Sequence, residues 1–334
     1  MNKPSPTGRK MKRWTPPERS VKLFMAALAA IALAVWWQAW VWWQTDLRVV
    51  FLNVGQGDCI IIRTPAGRNL LIDGGGRASR SQIPGDIGRW VVVPALYDAG
   101  VKKIDCLIAT HPHEDHIGGL LEVLDQVPVD MILTNGQTNP IPAYDDLVET
   151  ARQKEIPIVR AQAGQRFNLG ANIEAQVLHP AADLLENTEN DLNNNSVVLR
   201  LDYEAISFLF PGDLQEEGEA ALLEREAPVA SLILKAGHHG SLDASSEPFL
   251  DEVEASFAVI SCGLDNTFGH PHETTLERLR DSGVKILRTD SMGTIEMTTD
   301  GEILKIEYGR RGEHEVETYA FDRIALPAGA VAAD

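Results

Sequence analysis

Thr110-His111-Pro112-His113-Glu114-Asp115-His116 places three imidazoles and Asp115 within six residues. The stretch directly follows an apolar run, Asp105–Ala109, that reads as a short strand. It precedes Gly118-Gly119 and a helix predicted over Ile117–Leu124. Imidazole and carboxylate are the ligands that borderline divalent metals prefer. In an extended turn, residues 111 and 113 point the same way, leaving Asp115 and His116 to face a second position a few ångströms off. The density of ligands marks this loop as the seat of a metal site rather than a solvated connection.

Working outward, three further pieces sit at predicted strand ends. Asp213 ends the apolar run Phe208-Leu209-Phe210, where a carboxylate is costly unless paired or metal-bound; the bland alternative is a capping Asp ahead of Leu214. His238-His239 follows the strand Ser231–Leu234. Adjacent residues of a turn project differently, so one of the two is expected to ligate. His270 and His272 flank Pro271, His270 being the stronger candidate for the site and a source of a proton for a leaving group. Strands are predicted over 48–54, 59–63, 69–73, 196–201, 205–210 and 257–261, with helices near 86–99, 215–225 and 274–282. A terminal hairpin, 294–299 and 302–308, turns at Asp300-Gly301.

The run His111–His116, preceded by Asp73-Gly74-Gly75, resembles the metallo-β-lactamase superfamily. The ordered set NVGQGD (53–58), NNNS (193–196), PGD (211–213), HHGS (238–241), FGHP (268–271) and RTD (288–290) resembles one subgroup, the extracytoplasmic hydrolase domain of ComEC-type DNA-uptake proteins. The likeness spans about residues 48–300. It implies an α+β fold, a four-layer αββα sandwich holding two divalent ions, zinc or manganese, at its open edge. By resemblance, His111 and His113 hold the first ion. Asp115 and His116 hold the second, Asp213 bridges, and His239 or His238 completes the second site. Asp115, Asp213, His270 and His238 are then the catalytic candidates. Asp73 orients a histidine from behind, and Lys235 and Ser241 are candidates to touch a substrate oxygen. The family's third histidine for the first ion has no clear counterpart here. Either the first ion is weakly held or an Asn of the run 193–195 stands in through its carbonyl oxygen; Asn194 and Asn195 are candidates to back the ligands or touch substrate, and His179 lies nearby in sequence but is not taken as the equivalent.

Composition frames the rest. The chain has 334 residues and a net charge of −18. Seven of its 30 bases and one of its 48 acids fall in residues 1–22, leaving the remainder at −24. So acidic a body does not hold long nucleic acid by general electrostatics. Three cysteines make no disulfide framework and read as buried thiols. Leu23 to Trp43 is 21 residues without a charge, about 30 Å as a helix, and five of the seven tryptophans cluster at its end. Together these predict a basic cytoplasmic tail (1–20), one N-terminal transmembrane anchor (21–43), an extracytoplasmic hydrolase domain (48–309) and a weakly structured tail (310–334). Ala32-Leu33-Ala34 fits a signal-peptidase site, but the apolar run continues past it, which favours a retained anchor. The expected function is hydrolysis of a phosphodiester, nucleic acid included, by metal-activated water. The alternatives are another ester (phosphocholine-type, lactone or β-lactam) or a non-catalytic domain retaining the fold.

Overall fold

The computed structural model describes residues 18–43, 46–76, 87–309 and 314–321. The chain divides at Thr45/Asp46 into an N-terminal unit and a larger body. In the first, α1 (Glu18–Trp43) is one continuous helix exposing Leu23, Phe24, Met25, Trp36 and Trp37. Its side chains are described over 21–37, so those of Trp40, Trp42 and Trp43 in the predicted belt, and residues 1–17 of the basic tail, lie outside what the structure describes. Among the described residues, no helix is long and apolar enough to cross a membrane.

The body opens with β1 (Leu47–Phe51), β2 (Ile60–Arg63), β3 (Asn69–Ile72), β4 (Cys106–Ala109), β5 (Ile132–Thr134) and β6 (Ile158–Arg160). It continues with β7 (Arg166–Gly170), β8 (Ile173–His179), β9 (Val198–Tyr203), β10 (Ile206–Phe210), β11 (Ile233–Lys235), β12 (Phe257–Ile260) and β13 (Lys285–Arg288). β14 (Ile295–Thr299), β15 (Ile303–Tyr308) and β16 (Glu315–Ala320) close it. One sheet runs β16-β15-β14-β1-β2-β3-β4-β5-β6 and the other β13-β12-β11-β10-β9-β8-β7. The predicted terminal hairpin is present as β14 and β15. The tail predicted as weakly structured instead contributes β16: Glu315–Ala320 pairs along all of β15, and Tyr319 packs edge-on against Phe257 with ring centroids 4.9 Å apart.

The strands are near-continuous apolar runs because both their faces are covered. With period two, Val49, Phe51, Ile60 and Ile62 face the space between the sheets, where they meet Phe208, Phe210, Val259 and Met297. Val50, Leu52, Ile61 and Leu71 face the opposite way, onto the helices of the first half. Phe210 stacks on Phe208 at 5.9 Å and lies 6.1 Å from Phe51, joining the two sheets. Truncating such a buried ring to Ala costs about 3–5 kcal/mol.

Two helical layers cover the outer faces. On the first sheet lie α2 (Val93–Asp98), α3 (Glu114–Ile117), α4 (Leu120–Gln126) and α5 (Pro142–Gln153). α5 starts with Pro142 in its first turn and buries Leu147 and Ala151, four residues apart on one face. Then come α6 (Asp191–Asn194), α7 (Glu216–Glu224), α8 (Glu247–Val253), α9 (Glu273–Asp281) and α10 (Thr289–Met292). Leu222 of α7, Phe249 and Val253 of α8, and Leu276 and Leu279 of α9 cover the second sheet. The result is helix, sheet, sheet, helix. Strands β3 to β6 run parallel, as do β10 to β13. The carboxyl ends of β3, β4, β10, β11 and β12 therefore deliver Asp73, His111–His116, Asp213, His238-His239 and Ser261 to one edge of the sandwich.

Candidate metal centre

Asp213 Oδ2 is the point on which the imidazoles converge. It lies 3.1 Å from His116 Nε2, 3.2 Å from His239 Nε2 and 3.9 Å from both His111 Nε2 and His238 Nε2. Asp115 Oδ2 stands 3.4 Å from His239 Nε2 and 3.8 Å from His116 Nε2. Asp115, His116, Asp213 and His239 thus each offer a ligand atom, all within 4.8 Å of one another. Beside them, His111 Nε2 and His113 Nδ1 face each other at 2.9 Å. Residues from three strand ends, far apart in sequence, meet in one cage.

Tight backbone contacts shape the loop that carries the histidines. A Cβ on Gly76 would fall 1.9 Å from the Glu114 carbonyl oxygen, and one on Gly57, at φ +121°, 2.1 Å from that of Asp115. Only glycine permits such an approach. Behind the loop, Asp73 is fully buried. Its Oδ1 accepts from the Thr110 backbone N–H (2.8 Å), and its Oδ2 accepts from the Thr110 hydroxyl (2.7 Å) and from His116 Nδ1 (2.8 Å). Because the Thr110 hydroxyl is spent on Asp73, its oxygen accepts from His111 Nδ1 at 3.1 Å. Both Nδ1 atoms then carry protons, which leaves Nε2 of each ring as the atom offered to a cation in the cage. Burial opposes a charge on Asp73 and raises its carboxyl, against the pull of His116.

His238 and His239 occupy a tight turn at φ 44° and 56°, left-handed for both. Such backbone costs about 1–3 kcal/mol per residue and persists where the surroundings enforce it. The turn separates the rings. His239 is buried, its Nδ1 donating to the Ser261 carbonyl at 2.9 Å, whereas His238 is 22% exposed, its Nδ1 on Asp243 at 3.2 Å and its Nε2 3.3 Å from Asn193 Nδ2. Of the pair, His239 is the inner ligand candidate.

Charge follows from this packing. Burial works against charging His116 and His239, but the surrounding carboxylates together outweigh it, Asp213 first, then Asp115 and Asp73 for His116 and Asp58 and Asp115 for His239, and hold both imidazoles well above the usual range. Burial and the neighbouring His116 push His111 down. Burial would raise Asp213 and Asp115, yet the facing imidazoles hold both carboxyls low. His270 is pushed down to about 4, by burial first and then by His239 and His238. Its ring lies 5.5 Å from that of His238, and its Nδ1 is buried without a hydrogen-bond partner.

The residues fit a pair of divalent cations. His239 Nε2 is buried against Asp213 Oδ2 and Asp115 Oδ2 without a hydrogen bond, an arrangement that costs free energy unless a cation is served there. The donors are nitrogen and oxygen without sulfur, which suits zinc or manganese. Divalent ions at the cage would take over the charge of the protons on His116 and His239 and release them.

Several sequence expectations are corrected. Lys235 does not reach toward substrate: it is buried, its ammonium paired with Asp58 and donating to the Gly212 carbonyl at 3.0 Å. Ser241 is likewise buried, and its hydroxyl serves Asp243. Asn194 supplies no ligand: its Oδ1 accepts from Gly218 N (3.0 Å) and Gln215 N (3.3 Å), closing the start of α7. Asn195 is tied to the backbone of Leu185 and Asp191. The asparagine that reaches the cage is Asn193, and Ser196 Oγ lies 3.3 Å from His111 Nδ1 where a third histidine was sought. His179 is turned away, bonded to the Asn194 carbonyl and to Arg225. His272 caps α9 by accepting from Thr274 N. Sequence reading passed over Asp58, whose Oδ1 lies 3.5 Å from His239 Nδ1. A carboxylate entering the wholly apolar run Cys59–Ile62 was the available signal.

Residues 52–263 match the family described as the metallo-beta-lactamase superfamily. The chain is 31% identical over 261 residues to ComE operon protein 3 of Bacillus subtilis (strain 168), covering 76% of this chain and 33% of that protein. It is 32% identical over 254 residues to competence protein ComA of Neisseria gonorrhoeae, covering 76% and 32%. It thus spans about a third of the length of the curated relatives it matches. Among solved structures, Igni18, a metallo hydrolase from Ignicoccus hospitalis, is similar with a TM-score of 0.44 and 14% identity over 75% of this chain and 98% of that one.

Proposed function

As the chain belongs to the metallo-β-lactamase superfamily of metal-dependent hydrolases, we propose that it hydrolyses phosphodiesters of the nucleic-acid type from a membrane-anchored, extracytoplasmic position. The observation that carries the reading is the convergence of His111, His116, His238 and His239 on one oxygen of Asp213. Asp115, His116, Asp213 and His239 would hold one ion, and His111, His113 and the shared Asp213 the other. Two divalent ions so held supply Lewis acidity, which ionises water near neutral pH and shields an anionic ester.

The chain's own groups do the rest. Asp73 keeps both Nε2 lone pairs on the cage through His116 directly and His111 by way of Thr110. His270, with its pKa near 4, is neutral at pH 7 and offers the leaving oxygen a hydrogen bond rather than a ready proton. Asn193 and the half-exposed rim at His238 and His270 define where substrate approaches. Competence is the word in the name of the Neisseria relative, which supports a nucleic-acid substrate. The −24 body favours a short or terminal stretch over continuous duplex. The uncharged run Leu23–Trp43, helical in α1 and preceded by bases, supports the anchor.

The test is turnover of bis-p-nitrophenyl phosphate against nitrocefin by the full chain supplied with Mn²⁺ or Zn²⁺. Asp213→Ala should abolish phosphodiester cleavage with the far-ultraviolet spectrum unchanged. A near-normal rate for that variant, or cleavage of nitrocefin alone, refutes the proposal. Retention in the membrane fraction after alkaline carbonate washing checks the anchor, and full release would overturn it.

A further inference from the structure

We infer that Lys235 and Asp58 form a resident ion pair that selects which oxygen of Asp213 faces the cage, making Lys235 a positioning residue. This rests on the reading of Asp213 as the shared carboxylate. Lys235 ends β11, all three residues of which are buried. Its Nζ pairs with Asp58 Oδ2, donates to the Gly212 carbonyl at 3.0 Å and stands 3.6 Å from Asp213 Oδ1. Asp58 and the Gly212 carbonyl take hydrogen bonds from the ammonium, and Asp213 Oδ1 feels its charge across a gap too long for a third. Buried among these groups, the ammonium does not reach a substrate.

The two oxygens of Asp213 consequently live in different surroundings. Oδ1 has Lys235 before it and no hydrogen bond of its own. Oδ2 has four imidazole nitrogens within 3.9 Å. A carboxylate can bind one ion through both oxygens or reach two ions through one. The fixed positive charge beside Oδ1 repels a second cation from that side and leaves Oδ2 as the common atom. Asp58 supplies the counter-charge without which a buried ammonium could not remain. Its free oxygen points at His239 Nδ1 from 3.5 Å, so the pair also braces the inner histidine. Without Lys235, Asp213 can turn to chelate a single ion, and the second ion loses its shared ligand.

Metal-free full-length protein is titrated with MnCl₂ by calorimetry as wild type, Lys235→Met and the double variant Lys235→Met/Asp58→Asn. The loaded proteins are compared by low-temperature electron paramagnetic resonance and by melting. The double variant leaves no uncompensated charge and carries the test if Lys235→Met does not fold. The expected result is two ions and an exchange-coupled spectrum for wild type. Each variant should keep one ion at wild-type affinity, bind the second at least about tenfold more weakly and show an isolated-ion spectrum. Two tightly bound, coupled ions in the variants overturn the inference. So does equal loss of melting temperature with and without metal at unchanged stoichiometry, since that marks a purely structural lysine. A wild-type chain that takes up no ion overturns the underlying metal reading and the inference with it, and is told apart because no variant is involved.

Discussion

Replacing Asp73 by Asn tests the logic of the cage at a residue outside the cage itself. The carboxylate accepts three hydrogen bonds, at 2.8, 2.7 and 2.8 Å, from Thr110 N, Thr110 Oγ and His116 Nδ1. With Asn, the carbonyl keeps the backbone bond, and the amide places two protons where Oδ2 accepted two. His116 must then present Nδ1 as an acceptor, which moves its proton to Nε2, the atom facing Asp213. The Thr110 hydroxyl, now receiving a proton instead of giving one, turns toward His111 Nδ1 at 3.1 Å. That sends the His111 proton to Nε2 as well. One isosteric change therefore presents two protonated nitrogens to the cations. Loss of a partner that orients a ligating histidine costs about 10–100-fold in affinity, roughly 1.4–2.7 kcal/mol. Because each of the two ions loses a ligand here, both should weaken by that factor. Calorimetric titration with Zn²⁺ measures it, and histidine nitrogen shifts report the proton positions directly. Unchanged affinity for both ions, with Nδ1 still protonated on His111 and His116, would refute the reasoning.

Other expectations follow from the same packing. Gly76→Ala forces a methyl to within 1.9 Å of the Glu114 carbonyl; overpacking costs about 1–3 kcal/mol, read as a drop of several degrees in melting temperature. Glu219 is buried, accepts from Ser245 N and Ser246 N, and is pushed up to about 7 by burial against those bonds and Arg278. The folded protein thus holds a proton that the unfolded chain releases near its usual 4.5. Stability from this group is full below that value, fades as pH rises through 7, and totals about 3 kcal/mol. Urea melts at pH 5 and 8 should show the decline and Glu219→Gln should flatten it; identical slopes would sink the assignment. His270→Gln should lower the phosphodiester rate about 10–100-fold without shifting the acid limb of the pH profile between pH 5 and 7. A limb that moves would show that His270 titrates there.

The chemistry was more legible in the sequence than the scaffold. Four strand ends announced themselves because an apolar run that stops at Asp or His has a physical oddity that survives without coordinates. The stretch around β6 carried no such mark: β6 is exposed along its whole length, so Ile158–Arg160 shows no alternation to read. β16 is an edge strand whose partners, β15 along its backbone and Phe257 and Lys285 for the Tyr319 and Glu317 side chains, are brought to it only by the closed fold. Lys235 was misplaced because a lysine beside a ligand motif reads as solvent-facing. Its burial depends on Asp58, 177 positions earlier, which only the closed fold brings to it. The asparagines at 193–195 share a residue type but not a role, since a single helical turn, α6, points each to a different neighbour.

The first sheet seats β1 between β2 and β14, so Leu47 lies beside Thr299 and Phe51 beside Ile295. Nearly the earliest and nearly the latest parts of the body are partners in one ladder. Pairings so distant along a polypeptide lose much chain entropy before they gain contacts, and they slow folding. On the ribosome, β1 must wait with an unpaired edge until some 250 further residues have emerged, an interval in which that edge is open to stray association. Amputation from the carboxyl end should therefore cost solubility before it costs any ligand of the cage.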